Sequence, residues 1–143
     1  VLNLRALSMR ESTLWTLIRT RIPGHLVRIE NLAGIGQPDV NGCHDGSEAW
    51  VELKLVKGNY IYFRTSQLAF FKKRCKENGR VFVLARKDDD ILIFLASSVV
   101  AVAELFEPVK DGACRIKWVL IPESFLFTKP WDWQKIADLI YRS

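Results

Sequence analysis

The stretch GIGQPDVNGCHDGSEAWVELKL, Gly34 to Leu55, constrains the fold more than any other part of the chain. Pro38 to Asn41 begins a strand, His44-Asp45-Gly46-Ser47 supplies turn chemistry, and Ala49 to Leu55 returns as a second strand-like run. Together they predict a β-hairpin, and a hairpin at this place implies a mixed sheet.

The flanking segments switch between helical and strand periods. Apolar Leu4, Leu7, Leu14, Leu17 and Ile18 recur at helical spacing until Pro23-Gly24, which predicts a helix from about Leu4 to Ile22. Leu26 to Glu30 alternates as a strand and leads into the glycine loop Gly34-Ile35-Gly36. After Lys57-Gly58-Asn59, Tyr60 to Phe63 is a short extended piece. Thr65 or Ser66 can cap a helix through Asn78, with Gly79 as its stop. Arg80 to Arg86 and Ile91 to Ala96 read as strands around Asp88-Asp89-Asp90. Ser97 can cap a helix to about Phe106, Cys114 to Ile121 reads as a strand, and Pro130 suits the first residue of a last helix. The expected class is α/β, a mixed β-sheet with flanking helices in one domain over residues 1–143. Its αβββαβ core covers about residues 8–96, and a β-α-β-α extension covers about 97–143.

With 143 residues, 49% hydrophobic and 26% charged, the chain has the composition of a globular protein with a single core. A net charge of +5 and a pI near 9.3 favour a polyanionic partner, nucleic acid ahead of an anionic membrane surface. Cys43, Cys75 and Cys114 are odd in number and far apart, with no Cys/His pair at zinc spacing. They read as reduced thiols of a cytoplasmic protein. The longest uncharged run, Ile91 to Ala103, has 13 residues. A membrane span needs roughly 20, so no membrane partner is expected. No secretory signal is read at the N-terminus, which begins with Val1.

On the second run of the hairpin, side chains alternate between faces. Glu52 and Lys54 therefore project together, while Val51, Leu53 and Leu55 point the other way. Asp39, thirteen positions before Glu52, lies on the partner strand and could reach the same spot. Two carboxylates and a backbone carbonyl make an all-oxygen site suited to Mg²⁺, which would polarise a phosphate oxygen and acidify a bound water. Lys54 beside it would orient that water or neutralise charge on the phosphorane. Taken alone, Glu-x-Lys on a half-exposed strand is more often solvated polarity with a weak ion pair.

The surroundings change that balance. Glu11 on the first helix, Gly36-x-Pro38-Asp39, Glu52-Leu53-Lys54 and Gln67 near the start of the next helix occur in one order, with Gly79 before the strand Val81 to Leu84. This arrangement, over about Ser8 to Phe94, resembles the PD-(D/E)xK nuclease superfamily. The likeness is to small phage nucleases, VRR-NUC-type domains and archaeal Holliday-junction resolvases. It implies a restriction-endonuclease-like fold and a Mg²⁺-dependent DNA endonuclease, with Mn²⁺ able to substitute. It also implies that Asp39 and Glu52 ligate the metal and that Leu53 donates its carbonyl. Lys54 would help activate the attacking water, and Glu11 would complete the site or bind a second ion. Gln67 would steady Lys54 or the water, or contact the phosphate. Glu30 is the alternative to Glu11, whose ordinary reading is a solvated helix acid.

Lys57, Asn59 and Arg64 follow the catalytic strand and, with Arg28, are the expected phosphate contacts. Lys72 and Lys73 open a basic run on the second long helix that reads first as a solvated face and second as a DNA contact. His25 and His44 share no motif and receive no role. Phe125-Leu126-Phe127 and Trp131-x-Trp133 are expected to pack on the chain's own sheet or to build a dimer interface. A homodimer acting on double-stranded or branched DNA is the partner arrangement that the resemblance suggests. A phage-encoded enzyme would act in the host cytoplasm. Two rivals stay open: a DNA-binding module that keeps the scaffold without cutting, and a metal-independent RNA endonuclease.

Overall fold

A computed structural model of the chain describes residues 10–29, 36–105 and 111–142. The expected first turns of the leading helix, Glu30 and Gly34-Ile35 lie outside the described residues. In chain order the elements are α1 (Glu11–Arg21), β1 (His25–Arg28), β2 (Val40–His44), β3 (Ser47–Leu55), β4 (Tyr60–Arg64) and α2 (Thr65–Lys76). These are followed by β5 (Val81–Lys87), β6 (Asp90–Leu95), α3 (Ala96–Ala103), β7 (Ala113–Lys117), a 3-10 turn at Trp118–Leu120, β8 (Phe125–Phe127) and α4 (Trp133–Arg142).

Six strands form one mixed sheet in the order β1-β2-β3-β5-β6-β8. Among the described strands only the central β3–β5 pair is parallel, and β4 with α2 makes the long crossover that a parallel pair requires. The expected β2–β3 hairpin forms, closed by Asp45 and Gly46 at φ of 50° and 80°. Both turn positions need positive φ in the tight turn that matches strand twist, and Asp-Gly supplies them.

Each face of the sheet buries its own core. Val51 and Leu53 of β3 join Leu14 and Ile18 of α1 and Ile136, Ile140 and Tyr141 of α4. On the other face Val83 and Phe94 meet Phe71 of α2, Val99 of α3, Phe63 of β4 and Ile116 of β7. The C-terminal helix is tied to the hairpin directly. Ser47 Oγ donates to the Tyr141 carbonyl at 2.7 Å, and the Tyr141 hydroxyl donates to the Pro23 carbonyl at 3.0 Å. A side chain at Gly42 would place its Cβ 2.7 Å from that hydroxyl, so the glycine admits the helix.

Several local expectations are corrected. Neither Thr65 nor Ser66 caps α2, because Arg64 takes the cap position and Gln67 reaches back to it. The left-handed residue ending α2 is Asn78 (φ 59°). Gly79 serves close packing instead, its N–H bonding the Arg74 carbonyl at 2.9 Å where a Cβ would meet the Arg74 side chain at 2.5 Å. The strand expected over Cys114 to Ile121 stops at Lys117 and turns 3-10. The last helix starts after Asp132, whose Oδ1 accepts the Lys135 N–H at 3.1 Å, and not at Pro130. β8 joins the sheet edge beside β6, and β4 leaves the main sheet to pair with β7.

Candidate active site

The hairpin register brings the two acids together. Pairing runs from His44↔Ser47 to Val40↔Val51, so the next residue outward, Asp39, arrives beside Glu52. Along β3, Trp50 and Val56 donate their N–H groups to Arg80 and Arg86 on the β5 side. Residues of the other parity turn toward β2. Past the end of β2 the Leu53 N–H has no ladder partner, and Asp39 Oδ2 accepts it at 2.8 Å. The Asp39 carbonyl accepts the Ile29 N–H at 2.7 Å, so its backbone is held as well.

Glu52 and Lys54 point to the α2 face, as strand alternation requires. The Glu52 carboxylate is only 2% exposed. Its Oε2 accepts from Gln67 Nε2 at 2.9 Å and lies 3.4 Å from Lys54 Nζ. Its Oε1 is buried and, among the described residues, has no hydrogen-bond partner. Burial pushes the Glu52 carboxyl up to about 8; Lys54 opposes that rise and the Asp39 charge adds to it. Glu11, the first residue of α1, is also shifted upward, first by burial and then by Asp39. A carboxylate with an unsatisfied buried oxygen is costly to fold, so such groups concentrate where chemistry needs them.

Gln67, in the first turn of α2, holds the centre of the cluster. Its Oε1 accepts from Lys54 Nζ at 3.0 Å and from the Arg64 N–H at 2.9 Å, while its amide nitrogen donates to Glu52. With two donors on one side and a carboxylate on the other, only one amide orientation satisfies all three bonds. Phe63 supports Lys54 from below, the ammonium lying 5.1 Å from the ring centre. Gly36 lets the loop that carries Asp39 press against α2, since a Cβ there would sit 2.1 Å from the Ser66 carbonyl.

These residues line a cavity of about 220 Å³ that contains Glu11, Asp39, Glu52, Lys54, Arg64 and Gln67. Arg28 and Lys57 act on Glu11 electrostatically, and Lys57 lines an adjoining trough. Asn59 is exposed and gives its carbonyl to the Trp118 N–H, away from the cavity. Lys72 stands 3.4 Å from Glu104, and Lys73 lines a separate groove with Phe70 and Arg74. Gln37 and Ser66 border the cavity and Arg10 the trough; the sequence offered Ser66 only as a helix cap and gave Gln37 and Arg10 no role. Ordinary polar residues beside a glycine (Gln37) or at a helix start (Ser66, Arg10) carry no signal of their own.

Among the described residues no group of three or more His, Cys, Asp and Glu side chains stands in a metal-holding cluster. The donor set nonetheless suits a hard cation: Glu52 Oε1 is orphaned, and both Glu11 and Asp39 raise the cost of its charge. Oxygen donors without sulfur or imidazole favour Mg²⁺ or Mn²⁺ over zinc.

A mixed sheet with a central parallel pair, helices on both faces and an acid–acid–lysine cluster where β2 begins has the restriction-endonuclease-like fold. Among solved structures the chain is similar to Hjc, a Holliday junction resolvase of the archaeal hyperthermophile Archaeoglobus fulgidus, determined at 1.6 Å resolution. The match has a TM-score of 0.53 and 14% sequence identity, and it covers 80% of this chain and 86% of that one. At that identity the likeness is one of fold. No protein-family model and no curated protein sequence matches the chain. No helix among the described residues is long and apolar enough to cross a membrane.

Proposed function

We propose that the chain is a divalent-metal-dependent DNA endonuclease of the PD-(D/E)xK superfamily, with residues 1–143 forming one nuclease domain. Branched DNA such as a four-way junction is the proposed substrate class. The observation that carries this reading is buried Glu52, its unpartnered Oε1 in the cavity shared with Asp39 and Glu11 and its Oε2 beside Lys54. The fold shared with a Holliday junction resolvase supports the branched-DNA part. A homodimer would set two such cavities against opposed strands of a junction.

In this reading Glu52 Oε1, the Asp39 carboxylate and the Leu53 carbonyl would hold Mg²⁺, with Mn²⁺ able to substitute. When bound, the ion supplies Lewis acidity toward a phosphate oxygen and lowers the pKa of a water. The chain's own groups do the rest. Leu53 holds the Asp39 carboxylate in place through its N–H. Glu11 completes the set of acids from α1. Gln67 orients the Lys54 ammonium, leaving protons free to steer the attacking water or to bind a phosphate oxygen. Arg64, Lys57 and Arg28 would contact flanking phosphates.

The direct test is cleavage of labelled four-way junction, flap, linear duplex and single strand, in DNA and RNA, with Mg²⁺ or Mn²⁺. Junction cleavage that EDTA removes is the expected result. RNA cleavage surviving EDTA would replace the reading with a metal-independent RNA endonuclease. Gln67→Ala tests the positioning role separately: cleavage should fall about 10–100-fold with little change in KM for DNA. Equal losses in kcat and in folding stability would reduce Gln67 to a structural cap.

A second reading has one observation in its favour. Asp39 Oδ2 and Glu52 Oε2 are already engaged inside the protein, as in a scaffold that binds DNA without cutting. Calorimetry separates the two, because a non-cleaving module has no Mg²⁺ site for Asp39→Asn to abolish.

A further inference from the structure

β4 and β7 pair antiparallel outside the main sheet, with Tyr60↔Lys117, Tyr62↔Arg115 and Arg64↔Ala113 opposite one another. Alternation buries Ile61, Phe63, Cys114 and Ile116 on the inner face. The outer face therefore carries Tyr60, Tyr62, Arg64, Arg115 and Lys117, two aromatics among three cations with no acid. Arg115 lies over the Tyr60 ring at 4.3 Å, Lys117 over the same ring at 6.0 Å, and Lys57 over Tyr62 at 5.9 Å.

Several basic side chains on other surfaces have acidic neighbours, as in Lys72–Glu104, Arg86–Asp89, Lys129–Asp89 and Arg142–Asp138. Among the described residues Lys57, Arg64, Arg115 and Lys117 form no ion pair. Unmatched cations held on aromatic rings lose little further rotamer freedom when they meet an anion. The face also adjoins the catalytic cavity. A trough of about 500 Å³ lined by Lys57, Tyr62 and Ala113 shares Glu11, Lys54 and Arg64 with that cavity.

We propose that the outer face of β4–β7 is a docking platform for the phosphate backbone of the DNA strand leaving the catalytic cavity, with Arg115 and Lys117 as phosphate contacts. The proposal rests on the nuclease reading and deepens it, adding residues from the C-terminal extension to the DNA surface. Residues two apart on a strand are about 6.8 Å apart, so Arg115 and Lys117 form a row of charge that follows one backbone. The tyrosines hold the cations in place.

The test measures binding of a labelled four-way junction in Ca²⁺ across a salt series. Wild type is compared with Arg115→Gln/Lys117→Gln and with the control pair Lys129→Gln/Lys135→Gln, of which Lys129 lies between β8 and α4 and Lys135 on α4. Loss of two phosphate contacts should lower the slope of log K against log salt by about 1.8, roughly 0.9 per contact, and weaken binding about tenfold or more at low salt. The control pair should leave the slope unchanged, and thermal unfolding should be the same for all three proteins. An unchanged slope for the Arg115/Lys117 pair overturns the platform even if the protein cleaves DNA. A reduced slope in a protein that never cleaves upholds the platform and removes the nuclease. Equal slopes on DNA, with binding to phosphatidylserine vesicles lost only in the Arg115/Lys117 pair, would assign the face to a lipid surface and overturn the proposal.

Discussion

Glu52→Gln is expected to lower metal-dependent cleavage on the order of 10³-fold or more, while raising the thermal stability of the metal-free protein at pH 8. Both effects come from one oxygen. Among the described residues Glu52 Oε1 has no hydrogen-bond partner, and burial pushes the carboxyl up to about 8 against an ordinary value of 4.5. A raised acid contributes its full stability below about pH 4.5 and loses it as the pH climbs through the folded value. Metal-free wild type should therefore lose stability between about pH 4.5 and 8, on the order of a few kcal/mol at most. The amide introduced by the substitution keeps an oxygen for Gln67 to bond and cannot ionise, so the variant's unfolding temperature should stay level over that window. Mg²⁺ binds the ionised form, and so should stabilise wild type more at pH 8 than at pH 5 and leave the variant unaffected. Cleavage rates with thermal unfolding at pH 5, 6.5 and 8 read all of this. Undiminished cleavage by the variant would remove Glu52 from the chemistry. A level wild-type curve would show that the carboxyl ionises without cost.

The arrangement of the candidate site was legible in sequence where its geometry is local. Strand alternation alone places Glu52 with Lys54 and sends Val51 and Leu53 to the opposite core, as observed. A two-residue turn at Asp45-Gly46 fixes a register that carries Asp39 to Glu52, so the acid pair also follows from near neighbours. Gln67 is a different case. Its place at Lys54 depends on the β4–α2 crossover packing back onto the sheet, and only the resemblance pointed there.

Long-range contacts account for what was not legible. The α2 cap was misread because the Thr65 N–H finds the Gly112 carbonyl, 47 residues away, at 2.6 Å. β4 abandons the main sheet for β7, a pairing set by apolar Ile61, Phe63, Cys114 and Ile116 meeting the helices, and no local pattern announces it. Its outer face of Arg115 and Lys117 was hidden for the same reason. β8 is three residues long, too short for periodicity to register, yet it adds an edge to the sheet and leaves Leu126 57% exposed.

Gly36→Ala should damage catalysis more than stability, and the reason lies in what the glycine separates. Its φ of 81° strains any side chain, and a Cβ would stand 2.1 Å from the Ser66 carbonyl, well inside contact distance. Strain and overpacking together should cost about 2–4 kcal/mol. Relief has two routes. If the loop retreats, Asp39 is drawn from the Leu53 N–H; if the first turn of α2 retreats, Gln67 is drawn from Glu52 and Lys54. Either movement opens the same cluster, so cleavage should fall at least about 100-fold in protein that remains folded, a loss that misplacement of about 1 Å can produce. Gly58→Ala is the matched control, with a φ of 63° but nothing within 4 Å of where its Cβ would stand. It should cost about 1 kcal/mol from backbone strain and leave cleavage within about threefold. Urea unfolding and single-turnover cleavage of both variants decide the matter. Equal behaviour of the two would mean that backbone conformation alone matters at Gly36, and that the contact with Ser66 does not hold the site together.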